Sequence, residues 1–77
     1  MPHIIVKLYP GRTEGQKNQL AAKIVKDVVE ISGCEEKVVS VAFEEVDPKD
    51  WPEKVYKPEI LDKKDNLYVE PGYNPFE

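Results

Sequence analysis

The chain has 77 residues and a single cysteine, so it forms one domain at most and cannot form a disulfide within itself. Its formal net charge is -4, and its 15 acidic and 11 basic residues are interspersed, which excludes a basic stripe and nucleic acid as a main partner. The apolar run from Ile4 to Val6 is too short for a signal peptide or a membrane span, and we expect a cytoplasmic protein without a membrane partner.

The first predicted element is a strand over residues 3 to 9. These residues are mostly β-branched or aromatic, and a proline-glycine pair that breaks regular structure follows them. Ile4, Val6 and Leu8 alternate onto one face of the strand. The opposite face mixes polar and apolar side chains, which favours partial burial.

The second predicted element is a helix that begins after Thr13. Thr13 and Gln16 have the spacing of a capping box, in which each side chain binds a backbone N–H group of the first turn. Gly33 is expected to end the helix as its C-cap. The apolar residues between these caps recur with helical periodicity: Leu20, Ala21, Ile24, Val25, Val28 and Ile31.

A second strand is predicted from Lys37 to Val46, closed by an Asp-Pro pair. Strand, helix and strand form a β-α-β unit of class α/β (α+β), whose strands run parallel with a right-handed crossover. Two strands and one helix cannot cover both faces of a sheet. We therefore expect a homodimer with a four-stranded sheet and its helices on one face.

The remainder, residues 47 to 77, is expected to be an extension of the same domain, which spans residues 1 to 77 around a core of about residues 3 to 46. Five prolines divide it into short pieces. One or two helical turns are predicted from Glu59 to Asn66. A short third strand is predicted from Leu67 to Val69.

Conventional chemical motifs are missing from the sequence, which has no glycine-rich phosphate loop and no His or Cys cluster with metal-ligand spacing. We therefore expect no metal and no cofactor. Cys34 follows a glycine in a predicted loop and has no evident group to activate it. His3 lies in a strand next to Pro2, and we expect its side chain to point to the opposite face.

Pro2 is the remaining candidate. Aminopeptidases remove an initiator methionine before a small residue such as proline, and removal of Met1 would leave Pro2 as a secondary amine at the start of a strand. A free α-amino group titrates near about pH 8, and an apolar pocket with a nearby cation lowers that pKa. The amine would then be neutral at pH 7 and could accept a proton.

Several segments of the chain together carry a family resemblance: Pro2 to Leu8, Gly11 to Thr13, Gln16, Lys17, Ser40, Val41, Glu45 and Val46. With them the chain resembles the 4-oxalocrotonate tautomerase family over about its first 51 residues, without a gap. Trp51, the Glu-Pro-Gly-Tyr sequence near the end and the length of 77 residues are similar to a longer branch of bacterial tautomerases, whose members are dimers rather than hexamers.

This resemblance implies a tautomerase in which Pro2 transfers a proton between oxygen and carbon of an enol acid. Arg12 matches an arginine that binds a substrate carboxylate, although an exposed arginine at a helix start is the structural alternative. Ser40 replaces the family's second arginine, so a monocarboxylate enol such as phenylenolpyruvate is the expected substrate. Trp51 matches an aromatic pocket wall, and a role in the core is the alternative for it.

Two other functions remain open at this stage. The chain could be a ligand-binding or assembly protein that keeps the fold without catalysis, which the loss of the second arginine favours. It could also be a hydratase or hydrolytic dehalogenase in which a protonated Pro2 is the acid. A low pKa of the Pro2 amine would favour the tautomerase, and a high pKa the dehalogenase.

Overall fold

Strand β1 spans His3–Leu8, helix α1 spans Glu14–Ser32 and strand β2 spans Ser40–Glu45 in the computed structural model, which describes all residues of the chain. The two strands pair in parallel, with His3 opposite Ser40 and Leu8 opposite Glu45. The predicted β-α-β unit is therefore confirmed. Residues 1 to 45 form one compact unit and residues 46 to 77 form another.

The predicted start of the second strand at Lys37 was wrong. Glu36–Val38 instead form a turn of 3-10 helix, which the backbone N–H of Val39 closes by donating to the carbonyl of Glu36 at 3.1 Å. These backbone groups are used within the turn and are not available to a strand ladder. As a result, β2 begins at Ser40, beside the start of β1.

Both predicted caps of α1 are present. The Gln16 backbone N–H donates to Thr13 Oγ1 at 3.0 Å, and the Thr13 backbone N–H donates to Gln16 Oε1 at 2.9 Å. At the other end, Gly33 has a φ of 76° and its N–H donates to the carbonyl of Val29 at 3.0 Å. Glycine reaches this left-handed conformation without the steric cost of a Cβ atom, so the helix ends there.

The sheet has one face toward α1 and one open face. Leu8 and Phe43 line a cavity together with Leu20 of the helix, which identifies the face toward α1. Because side chains alternate along a strand and paired residues share a face, the open face carries three cross-strand pairs: His3 with Ser40, Ile5 with Ala42, and Lys7 with Glu44.

The β-α-β unit has no enclosed core. The buried hydrophobic residues of the chain, Val55 and Tyr56, both belong to the other unit. Most of the apolar stripe of α1 is only half-buried, and Ile31, which was predicted to belong to it, is 85% exposed in the last turn. The apolar surface that α1 and the sheet leave in contact with water favours self-association.

The second unit contains a π-helical segment, Pro52–Leu61, and a short 3-10 turn, Lys64–Asn66. Pro58 lies inside the first segment, where it has no N–H to donate and its ring would clash with a carbonyl in an α-helix. A π-helix is wound more widely than an α-helix and accommodates this proline. Its wider turn is seen where the Asp62 N–H donates to the carbonyl of Lys57, five residues earlier, at 2.9 Å.

The predicted strand from Leu67 to Val69 is absent. The sheet contains only β1 and β2, and Tyr68 is fully exposed. A strand needs a partner for its backbone groups, and this segment has none in the sheet. Tyr56 holds the C-terminal tail instead, because its hydroxyl donates to the carbonyl of Tyr73 at 2.6 Å and its ring contacts that of Phe76.

No helix of the structure is both long and apolar enough to cross a membrane.

The capping box yields a prediction about stability. Replacing Thr13 by Ala removes the oxygen that accepts the Gln16 N–H, and should lower the free energy of unfolding by about 1 kcal/mol. Thr13→Ser is the matched control, because it keeps a hydroxyl at the same position. Urea unfolding followed by circular dichroism would measure both variants, and equal losses for Ala and Ser would contradict the assignment of the cap.

Candidate active site

Pro2, His3 and Ser40 lie together at the N-terminal edge of the sheet. The backbone N–H of Ser40 donates to the carbonyl of Pro2 at 3.1 Å, and the hydroxyl of Ser40 is 2.6 Å from Nδ1 of His3. Pro2 is half-buried, whereas His3 and Ser40 are exposed. Thus two predicted site residues, Pro2 and Ser40, are neighbours, and a histidine joins them.

The contact between His3 and Ser40 was not anticipated from the sequence. Alternation along a strand separates the side chains of Pro2 and His3, but the reactive atom of Pro2 is its main-chain nitrogen, which belongs to neither face. The signal that could have revealed the contact is the register of the parallel strands, because it places His3 directly opposite Ser40.

Met1 determines the chemical state of Pro2. Its side chain is 86% exposed, so no packing holds it against the sheet. While Met1 is attached, the Pro2 nitrogen is an amide whose lone pair is delocalised into the carbonyl group. Only the processed chain therefore has a secondary amine at this position.

Arg12 lies at the other end of the sheet, beyond the end of β1. It lines a cavity of about 160 Å³ with Leu8, Leu20, Phe43, Gln16 and Lys17. Ordinary ligand sites occupy roughly 300 to 1,000 Å³, so this cavity is small for a complete site. Its lining combines apolar side chains with two cationic ones, Arg12 and Lys17.

Lys17 is held by two carboxylates. Its Nζ atom is 3.0 Å from Glu14 Oε1 and 3.4 Å from Glu45 Oε2. The hydrogen bond to Glu14, with the charges of Glu14 and Glu45, raises the pKa of Lys17. The charge of Lys17 is therefore already paired, and Arg12 is the cation of this cavity that is better placed to bind an anion.

The predicted site residues do not converge within one chain. Pro2 and Arg12 flank the six residues of β1, which at about 3.3 Å per residue place them about 20 Å apart. Trp51 belongs to the other unit, where it is half-buried and caps the start of the Pro52–Leu61 segment. One protomer therefore brings Ser40 to Pro2 but leaves Arg12 remote from it.

Comparison with known proteins gives consistent matches. The family model described as "Tautomerase enzyme" matches residues 2–52. A probable tautomerase of Xylella fastidiosa (strain 9a5c) is 40% identical over 73 residues, which cover 95% of this chain and 89% of that protein. Tautomerase PptA of Cronobacter sakazakii (strain ATCC BAA-894) is 38% identical over 74 residues, covering 95% of this chain and 97% of the relative.

Solved structures agree with these sequence matches. The crystal structure of YwhB, described as a homologue of 4-oxalocrotonate tautomerase, is 37% identical and superposes with a TM-score of 0.58. The superposition covers 60% of this chain and 75% of YwhB. The fold of the chain is therefore shared with proteins of known structure.

The ion pairs of Lys17 yield a prediction. Replacing Glu14 by Gln removes the charge of the first partner of Lys17, and should lower the pKa of Lys17 because the ammonium form loses attraction. Titration of the Lys17 side-chain signals by NMR would measure this change. Glu30→Gln, near the other end of the same helix, is the matched control and should leave the pKa of Lys17 unchanged; an unaltered pKa of Lys17 in the Glu14 variant would contradict the assignment.

Proposed function

The chain belongs to the tautomerase family, and on this premise we propose that it is an isomerase that interconverts the enol and keto forms of an α-keto acid such as phenylenolpyruvate. The match to the family model carries the proposal, because the matched segment begins at Pro2. The proposed general base is the secondary amine of Pro2 after Met1 has been removed.

The proposed reaction is a 1,3-proton transfer. The Pro2 nitrogen accepts the proton of the enol hydroxyl, and the electron pair of that O–H bond forms the carbonyl group. The electrons of the carbon-carbon double bond then take a proton from the prolinium to form a C–H bond. Pro2 is thus regenerated as a neutral amine, and the reaction consumes no co-reactant.

The position of Pro2 supports its role as a base. It is half-buried at the start of β1, and its carbonyl is held by the backbone N–H of Ser40. Partial burial penalises the charged form of an amine, and we expect it to lower the pKa of the processed Pro2 amine. An amine that is neutral near pH 7 and fixed at the start of a strand would meet both requirements of general-base catalysis.

Arg12 is the proposed ligand of the substrate carboxylate. Its planar guanidinium can form two parallel hydrogen bonds to a carboxylate, and the apolar lining of its cavity suits a hydrophobic substrate. Ser40, at the Pro2 end, carries no charge that could bind a second carboxylate. Because Arg12 is charged and Ser40 is not, we expect a monocarboxylate enol as the substrate and not a dicarboxylate.

Two chains are needed to assemble this site. Pro2 and Arg12 of one chain lie about 20 Å apart along the strand, which is farther than a small enol acid can span. We therefore place Arg12 of the partner subunit beside Pro2 in a homodimer. The lack of a buried core in the β-α-β unit supports self-association, and Trp51 is the proposed aromatic wall of the pocket. A cytoplasmic enzyme without a cofactor fits this chemistry.

The role of Pro2 can be tested with phenylenolpyruvate. Ketonisation is followed by ultraviolet absorbance with protein whose intact mass confirms the loss of Met1. Pro2→Ala exchanges the secondary amine of Pro2 for a primary amine on a less rigid residue, and we expect it to lower kcat/KM about 100-fold, the lower end of the usual range for general-base catalysis. If the processed protein and its Pro2→Ala variant are both inactive, or are equally active, Pro2 does not catalyse this reaction. Binding of an enol acid without turnover would favour the non-catalytic alternative.

The shared site can be tested by subunit complementation. Pro2→Ala and Arg12→Ala chains are each expected to be inactive as homodimers. A heterodimer of the two would contain one intact site, and random mixing should restore about a quarter of the activity in a two-fold symmetric dimer. A mixture no more active than the separate variants, despite confirmed subunit exchange, would contradict a site that two chains share.

A further inference from the structure

His3 and Ser40 form a polar pair at the Pro2 end of the open face. Ser40 is hydrogen-bonded to the first residue of β1 and to the residue before it, since its hydroxyl contacts His3 Nδ1 at 2.6 Å and its backbone N–H donates to the carbonyl of Pro2 at 3.1 Å. A single residue therefore positions the proposed base and the neighbouring imidazole.

The other polar pair of the open face provides a contrast. Lys7 and Glu44 are also opposite each other, and their charged groups are 3.4 Å apart. There the cation is neutralised by a carboxylate. The imidazole of His3 contacts a neutral hydroxyl instead, so its hydrogen-bonding capacity toward an anionic or partly charged oxygen is not cancelled.

The chemistry of the imidazole determines what the pair can do. When the Ser40 hydroxyl donates to Nδ1, the neutral ring carries its proton on Nε2. Nε2–H is then a hydrogen-bond donor held by a partner on the opposite strand. His3 is exposed, so this donor is accessible to a small molecule bound at Pro2.

We propose that Nε2–H of His3, oriented by Ser40, donates a hydrogen bond to the 2-oxygen of the enol acid while Pro2 removes the proton of that oxygen. His3 follows Pro2 directly, so a ligand oxygen within reach of the amine is near the imidazole. As the enol loses its proton, negative charge develops on this oxygen, and a fixed donor stabilises it. His3 is thus a catalytic residue, and Ser40 is a positioning residue.

The proposal also accounts for the uncharged Ser40. A site with only Arg12 of the partner subunit would hold the carboxylate but leave the 2-oxygen without a donor from the protein. His3 supplies that second contact, so a monocarboxylate with an oxygen on its second carbon is the substrate class that fits. This inference rests on the proposed function and adds a residue to its mechanism.

Kinetics of four single variants and one double variant test the proposal with phenylenolpyruvate. His3→Ala should lower kcat about tenfold and change KM little, because the lost interaction strengthens in the transition state. His3→Gln can place an amide N–H near the position of Nε2, and should retain most of the activity. Ser40→Ala should lower kcat by a smaller factor, with no further effect in a His3→Ala background. Glu44→Gln, from the contrasting pair, is the matched control and should keep the original kcat.

A binding measurement separates this proposal from the proposed function. His3 is the only histidine of the chain, so its ring signals are unambiguous in an NMR spectrum. Phenyllactate, which carries a 2-oxygen but cannot tautomerise, should shift these signals; 3-phenylpropanoate, which lacks that oxygen, should shift backbone signals near Arg12 and leave the ring signals unchanged.

The role of His3 and the tautomerase function of Pro2 can fail independently of each other. If phenyllactate shifts the His3 ring while the protein is inactive, the contact stands and the proposed function fails. If the protein is active but saturating phenyllactate leaves the ring signals unchanged, or if His3→Ala retains full kcat, the proposed role of His3 is overturned and the function of Pro2 remains.

Discussion

The parallel register of β1 and β2 is the constraint on which the site depends. It places Ser40 opposite His3 and so brings the start of the second strand to the Pro2 end of the first. A shift of one residue would move every side chain of one strand to the other face. The contact between His3 and Ser40 would then be lost, and Phe43 would leave the face that α1 covers. The crossover helix, capped at both ends, limits the chain length available for such a shift.

A second constraint is the lack of an enclosed core in the β-α-β unit. The side chains that α1 and the sheet share are half-buried rather than buried, so the hydrophobic stabilisation of this unit alone is small. The same structure separates Pro2 from Arg12 along the strand. Both observations support the proposed homodimer, in which a second copy covers apolar surface and is proposed to bring its Arg12 to Pro2.

The features predicted correctly from the sequence are those that local interactions determine. The capping box at Thr13 and the glycine cap at Gly33 need only neighbouring residues, and both are present. The start of β2 was predicted wrongly because a 3-10 turn uses the backbone groups of Glu36–Val38. The strand near Tyr68 was predicted wrongly because the sheet offers that segment no pairing partner. The contact between His3 and Ser40 requires the register of two strands, which propensity and periodicity do not specify.

The direct test of the central claim is the pKa of the Pro2 amine. In protein labelled with ¹⁵N-proline, and confirmed by mass to lack Met1, the Pro2 nitrogen signal can be followed through a pH titration. A base for enol-keto transfer should titrate below about pH 7.5, so that the neutral amine is abundant at neutral pH. An amine that stays protonated to about pH 9 would contradict the tautomerase mechanism and favour a reaction in which prolinium acts as the acid.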